Sequence, residues 1–559
     1  MRRSLLVLPA LLSLVGCASF APSPAKSAAP ATGTLDVKLI AFNDFHGNLR
    51  QPGSGVKVPD PADPNKTLTV PAGGSEYLAT WIKQLKAKNP HHAVVSAGDL
   101  IGASPLLSSL FHDEPTIESM NEMGLEFNAV GNHEFDEGAE ELLRMQRGGC
   151  HPKDGCKIGD FNGARFKFLA ANVIERSTGK PLFPAYQIKR FEGVPVAFIG
   201  MTLKDTPTIV NPSGVAGLQF LDEAETVNRL VPELKAQGVR AIVVLVHEGG
   251  VQTPDGGIND CKGISGAIVD IVKRFDPEVD VVVSGHTHQP YNCAMDNRLL
   301  TSAYSYGRLV TEIDLKLDRA SGDVIERRAN NLIVATNVNK DANQTALLER
   351  VSKLVAPLEG RIIGTIGGAL TNQADRNGET TAGRFIADAQ LEATRDPKLG
   401  GAQIAFMNDG GVRGDIVPDA QGRVTFGQLF TAQPWGNNMM TVTLKGSDIV
   451  ELLEQQFRPK LGVMMFVSEN FTYRYDLRQP EGQRVLRDSI HLNGAPLDLN
   501  ADYRVAANSF LALGGNNFSV FLRGRNPVGG PLDVDALIEY VERQPGRPVP
   551  TTPRANKVE

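Results

Sequence analysis

Short apolar runs that each stop at a metal-competent side chain constrain this chain more than any other feature. DVKLIAF leads into Asp44 and His46, HAVVSAG into Asp99, FNAVG into Asn132 and His133, AIVVLV into His247, and VDVVVSG into His286 and His288. The runs are rich in Val, Ile and Ala and are bounded by Gly, Asn or Asp, as buried strands are. Open α/β sheets gather their ligands at the carboxyl ends of strands, so groups scattered along the sequence can converge there. One such histidine alone would be read more simply as a loop residue or a satisfied core residue. Recurrence at five strand ends, using five of the ten histidines, points instead to a metal site.

A chain of 559 residues exceeds what one compact core supports, so at least two domains are expected. Residues 35–340 alternate apolar runs with helical stretches such as SEYLATWIKQLKAKN and EPTIESMNEMG, which makes a layered α/β domain. Residues 341–360 read as one linker helix, with Leu347, Leu348, Val351, Leu354 and Val355 at helical spacing and Pro357 kinking or ending its last turn. Residues 361–545 mix strands (MTVTLKG, FTYRYDL, YRVAANSF) with helices (TAGRFIADAQLEATR, SDIVELLEQQF) in a smaller α/β domain. The tail, 546–559, is dominated by Pro and charge and reads as mobile.

With 57 basic and 63 acidic residues the net charge is -6, which leaves no basic excess for a nucleic-acid polymer. Arg2 and Arg3 precede LLVLPALLSLVG, an apolar run too short to span a bilayer, so residues 1–17 read as an export signal. Its end, LVGC, resembles a bacterial lipobox. That would make Cys17 the lipidated first residue of a periplasmic or outer-membrane-anchored protein, touching the membrane only through its lipid; the alternative is an ordinary cleaved signal. Residues 18–34, rich in Ser, Ala and Pro, then form a flexible tether. The four remaining cysteines suit an oxidising compartment, with Cys150 expected to pair with Cys156 and Cys261 with Cys293, the latter tying two loops that flank a strand. A metal-binding cysteine set is the other reading, but no CxxC spacing supports it.

Carboxylate, imidazole and amide oxygen without thiolate suit divalent ions such as Zn²⁺ or Mn²⁺. Seven candidate ligands are too many for one tetrahedral ion, whereas two ions about 3.5 to 4 Å apart that share one carboxylate would use them all. The order NDFHGN, SAGDL, GNHEFD, VHEGG and SGHTHQP resembles the calcineurin-like metallophosphoesterase signature. Together with the second block, the chain resembles the bacterial and animal 5′-nucleotidase family over nearly its whole mature length. The resemblance implies an N-terminal layered metallophosphoesterase α/β sandwich joined by the linker helix to a substrate-binding domain. It implies that Asp44, His46, Asp99 and His288 hold one ion and that Asp99, Asn132, His247 and His286 hold the other, with a hydroxide attacking phosphorus. Some relatives carry Gln in place of His288. His133 would pair with Asp136 and stabilise charge on the phosphoryl group; Asp136 reads equally as the N-cap of EGAEELLRMQR. Glu134 has no assigned chemistry and reads as solvated.

In the second block the resemblance implies that Arg376, Asn408 and Arg413 hold the substrate phosphate, while Arg384 reads as a helix-surface charge. Trp435 and Phe510 would stack a nucleobase where relatives carry Phe at both positions. Asn516 stands where relatives commonly place an Asp that bonds the ribose hydroxyls, so nucleoside recognition is less strongly implied than ester hydrolysis. The expected partner is a small nucleotide or related phosphoester, and no protein partner is implied. Two alternatives remain open at this level: a hydrolase of the same superfamily acting on another ester, and a non-catalytic nucleotide- or host-binding surface lipoprotein.

Overall fold

The computed structural model describes residues 33–558 apart from 54, 61–62, 254 and 459–462. The signal reading, Cys17 and nearly all of the tether lie outside the described residues. Two six-stranded sheets face each other in the first domain. In one, Thr34–Phe42, His92–Ser96, Phe127–Ala129 and Lys167–Leu169 run parallel, and the hairpin Leu309–Asp318/Val324–Ile333 extends it antiparallel. In the other, Val194–Thr202, Ala241–His247, Val279–Ser284 and Arg298–Ala303 run parallel between two antiparallel edge strands.

The two-residue period of a strand explains why these runs are apolar throughout rather than alternating. Leu39, Ala41, Val95, Val243, Leu245 and Val283 fill the space between the sheets. Their neighbours point outward into helical layers: Ile40, Phe42 and Val94 pack with Leu78, Ile82, Ile117 and Met120, and Ile242, Val244 and Val246 with Val227, Val231 and Ile268. The result is a four-layer α/β/β/α sandwich with several parallel strands of both sheets ending at the same rim.

The linker helix runs over Ala342–Glu359, with the Asp341 side chain accepting the N–H groups of Asn343 and Gln344 at its start. It docks on the first domain through Leu347, Leu348, Val351 and Val355, while Leu354 faces solvent. Pro357 sits in the last turn, and the helix ends two residues after it. The second domain is built on a five-stranded sheet in which Ile404–Asn408, Asp502–Asn508 and Asn438–Lys445 are central, with the helix Thr381–Thr394 against it. No helix among the described residues is long and apolar enough to cross a membrane.

Cys150 is bonded to Cys156 and Cys261 to Cys293, the expected pairs. Cys293 lies within the strand Pro290–Met295, so the second bridge ties a loop to a strand rather than two loops. Two expectations about the C-terminal part are corrected. The described part of the tail, 546–558, is fastened down: Ala555–Lys557 adds a parallel strand beside Phe471–Tyr475, and the Arg554 guanidinium lies buried against Asp388 at 2.6 Å. The N–H groups of Arg554 and Ala555 both donate to Glu379. Arg384 is likewise no surface charge; it is 2% exposed and bonds Asp375 and the Pro550 carbonyl at the tail. The tail covers the side of Thr381–Thr394 that carries Arg384.

Removing one member of a buried ion pair strands the other, at a cost of about 3 kcal/mol or more. Arg554→Ala should therefore destabilise the second domain by about 3 kcal/mol in chemical denaturation. A loss of only a few tenths would show that the tail is not part of the folded unit.

Candidate active site

At the shared rim the chain adopts backbone conformations that L-residues avoid. Asp44 (φ 50°), His46 (47°), Asp99 (50°), His286 (69°) and His288 (51°) all lie in the left-handed region. Each such residue costs on the order of 1 kcal/mol and persists only where its surroundings over-determine it. Gly131 shows how close the packing is, because a Cβ there would meet Asp99 Oδ1 at 2.2 Å.

Much of that over-determination comes from Glu134, which is buried and not solvated as its sequence context suggested. Its carboxylate accepts the N–H groups of Asp99, Leu100 and Gly131 at 2.8 to 2.9 Å and the Asn128 amide at 3.3 Å. One side chain thus pins the turn that carries Asp99 to the turn that carries Asn132 and His133. Burial, with the Asp99 charge nearby, pushes the Glu134 carboxyl up to about 8. Three N–H donors into an acceptor-only group favour its ionised form and oppose that rise.

The seven expected ligands come together in two groups: Asp44, His46 and His288, and Asp99, His247 and His286 with Asn132. His46 Nδ1 faces the Gly102 carbonyl at 2.9 Å and His247 Nδ1 the Ala97 carbonyl at 2.8 Å. These bonds place the ring proton on Nδ1 and leave each Nε2 lone pair directed inward. Asp99 Oδ2 sits between those lone pairs, 3.0 Å from His247 Nε2 and 3.5 Å from His46 Nε2. On one side His288 Nε2 is 3.2 Å from His46 Nε2 and 3.4 Å from Asp44 Oδ1. On the other His286 Nδ1 is 3.0 Å from Asn132 Oδ1.

His247 Nε2 is fully buried and has no hydrogen-bond partner among the described residues. A buried polar atom in that state is costly unless something occupies its lone pair. The donor set therefore fits two divalent cations sharing Asp99. Burial holds His46 well below the usual imidazole range and His286 down at about 4, both in the neutral form a ligand needs, whereas at His247 the Asp99 carboxylate outweighs burial and pushes the ring up to about 10, a charge that a bound cation would replace. Burial would raise Asp99, but the imidazoles of His247 and His133 hold it well below the carboxylate range.

His133 Nδ1 lies 3.0 Å from both Asp136 oxygens. Burial disfavours charge on His133, but the attraction of Asp136 and Asp99 outweighs it and raises its pKa. Asp136 is not the N-cap of the following helix, Ala139–Arg147, whose cap is Gly138. Its Oδ2 accepts the Ala103 N–H at 3.1 Å instead, so tertiary contacts replace the local rule.

A cavity of about 490 Å³ joins this rim to the second domain, lined by Asn132, His133, Asp136 and His286 on one side and Asn408, Arg413, Trp435, Phe510 and Asn516 on the other. Arg413 is the polar centre of the far wall. Its Nε and Nη2 are buried without a hydrogen-bond partner among the described residues, and its guanidinium stands 5.5 Å from the Trp435 ring centroid. The Trp435 indole donates to the Gly411 carbonyl at 3.0 Å and lies 5.2 Å from the His133 ring. Phe510 lines the same cavity, and Asn516 (φ 52°) reaches it from a left-handed turn that Asn tolerates. Arg376 does not join the set: it is exposed and outside the cavity lining. Residues 209–211, Asn437 and Ser509 also line the walls, without any signal in their local sequence.

Comparison with known proteins agrees with this geometry. The calcineurin-like phosphoesterase family model matches residues 37–290, and the 5′-nucleotidase C-terminal domain model matches residues 362–523. A cell wall protein of Listeria monocytogenes is 30% identical over 94% of this chain and 69% of its own length. An endonuclease of Bacillus subtilis is 33% identical over 91% of this chain, which spans only 40% of that protein's length. The structure of a 5′-nucleotidase precursor from Thermus thermophilus superposes with a TM-score of 0.76 at 25% identity, covering 94% of this chain and all of that one. The chain belongs to the 5′-nucleotidase family of metallophosphoesterases, metal-dependent hydrolases of phosphoric esters.

Glu134 was missed in the sequence because nothing local shows that three N–H groups converge on it. Outer partners of metal ligands typically contribute 10- to 100-fold in affinity. Glu134→Ala should accordingly weaken divalent-metal binding by about tenfold or more in equilibrium dialysis while the far-UV circular dichroism is kept. Unchanged metal affinity would show that Glu134 does not hold the ligands in place.

Proposed function

We propose that this protein is an exported two-metal phosphoesterase that releases phosphate from 5′-nucleotides. The observation that carries the reading is the Asp99 carboxylate set between inward-directed His46 and His247 nitrogens, on a cavity that also holds the unspent donors of Arg413. Asp44, His46, Asp99 and His288 would hold one ion and Asp99, Asn132, His247 and His286 the other. Such a pair supplies Lewis acidity and an activated water for in-line displacement at phosphorus.

The protein's own groups divide the remaining work. Arg413 offers buried guanidinium donors to the phosphate oxygens, with Asn408 beside it. Asp136 accepts the proton on His133 Nδ1 and favours the imidazolium, whose Nε2–H would then donate to the phosphoryl group and the departing oxygen. Trp435 and Phe510 present flat faces to a base. Export is supported by the two disulfides and by the signal-like residues 1–17, with anchoring through Cys17 as its membrane-bound form.

A second reading, a phosphodiesterase, is favoured by the neutral Asn516 at the expected ribose carboxylate position and by the likeness to an endonuclease. Hydrolysis of AMP, UDP-glucose and 2′,3′-cyclic AMP, followed by chromatography of the nucleoside and nucleotide products side by side with and without chelator, separates the two. AMP turnover that a chelator abolishes is expected; faster cleavage of the cyclic ester would favour the second reading, and chelator-insensitive turnover would contradict both.

His133→Ala should keep its bound metal, measured by elemental analysis, and lose about 10²- to 10⁴-fold in kcat. Normal turnover in that variant would overturn its assigned role.

A further inference from the structure

The turn that follows Asp99 is held through its amides by three carboxylates. The Asp99 and Leu100 N–H groups donate to Glu134, that of Gly102 to Asp113 Oδ2 at 3.0 Å, and that of Ala103 to Asp136 Oδ2 at 3.1 Å. Glu134 and Asp136 already belong to the candidate site. Asp113, which stands just before the helix Glu114–Met123, does not.

We propose that Asp113 is a positioning residue, acting through Gly102 on the His46 ligand and on the His133–Asp136 pair. The Gly102 carbonyl faces His46 Nδ1 at 2.9 Å and accepts its proton. The residue whose N–H Asp113 holds is therefore the one that fixes the His46 ring. Gly102 also abuts the His133–Asp136 pair: a Cβ on it would meet the His133 carbonyl oxygen at 2.2 Å and Asp136 Oδ2 at 2.6 Å. With no free space there, a displaced Gly102 would disturb both.

Asp113 forgoes the role its place in the chain offers. It occupies the N-cap of Glu114–Met123, where an Asp ordinarily accepts a helix N–H, yet its side chain makes no capping bond. One carboxylate oxygen is turned to Gly102 instead, and the other accepts the Ser108 hydroxyl at 2.6 Å. Ser108 Oγ in turn lies 2.6 Å from Thr116 Oγ1. The turn that delivers this carboxylate places His112 (φ 52°) and Asp113 (φ 61°) in the left-handed region in succession. Such strain persists only where the surroundings over-determine it, and it collects at functional sites. Asp113 is only 7% exposed, so its carboxylate is committed to these contacts.

The expected effect on metal affinity rests on the two-metal reading; the expected effect on the His46 ring does not. Two measurements on the full chain separate them. In metal-free protein labelled with ¹⁵N-histidine, the His46 signals, assigned by their loss in His46→Gln, should show the Nδ1–H tautomer in the wild type and a mixture of tautomers in Asp113→Ala. In equilibrium dialysis against Mn²⁺, Asp113→Ala should hold one of two ions about tenfold more weakly, with kcat for AMP falling in step and KM unchanged. Asp113→Asn should restore the wild-type tautomer, affinity and kcat, because its amide can accept the Gly102 N–H and donate to Ser108 Oγ. A lowered Tm in Asp113→Ala with the His46 tautomer and Mn²⁺ affinity unchanged would mark a merely structural brace and overturn the proposal. Ser108→Ala, which takes one donor from the Asp113 carboxylate, is read in the same way if Asp113→Ala does not fold. A wild type that takes up no second ion would sink the two-metal reading, and the tautomer measurement would still decide the role of Asp113.

Discussion

The position of the Asp99 carboxylate is the constraint on which the rest of this structure depends. It is buried, sits in a left-handed turn, and places one oxygen between imidazoles delivered by two different sheets. His46 follows a strand of the first sheet and His247 ends a strand of the second. The sandwich must therefore bring the two rims into register to within a hydrogen-bond length. Close-packed aliphatic side chains between the sheets supply that rigidity, since such interiors give little when a neighbour moves.

Local cost and surrounding support balance at this rim. Five proposed ligands occupy unfavourable backbone regions, and several charged or titratable groups are desolvated together. Glu134 gathers the amides of two turns, Asp44 accepts the His286 N–H, and backbone carbonyls orient His46 and His247. The second domain adds the complementary feature, a guanidinium with buried unspent donors facing the rim. The metal side of the cavity is thus built by one domain and the anion side by the other, which is the division of labour a phosphoester hydrolase needs.

Much of the first domain was legible because its signals are local. Apolar runs ended by His, Asp or Asn reveal strand and ligand together, and the spacing of Leu347, Leu348, Val351 and Val355 reveals the linker helix. The disulfide pairs were legible from number and spacing. What failed depends on parts of the chain distant in sequence. Glu134 and Arg384 look like surface charges until the fold supplies their partners, and the Pro-rich tail looks mobile until Arg554 meets Asp388. Asp136 fits a helix-capping rule, yet the Ala103 amide and His133 claim its carboxylate. Arg376 and Arg413 look alike as residues in Gly-containing loops, and only the cavity distinguishes them.

The central proposal for this site is that two ions share Asp99. Crystals of the full chain grown with Mn²⁺ test it directly through anomalous scattering. Two peaks flanking Asp99 Oδ2, about 3.5 to 4 Å apart, are predicted. A single peak at the rim, or a pair in which neither ion touches Asp99, would contradict it.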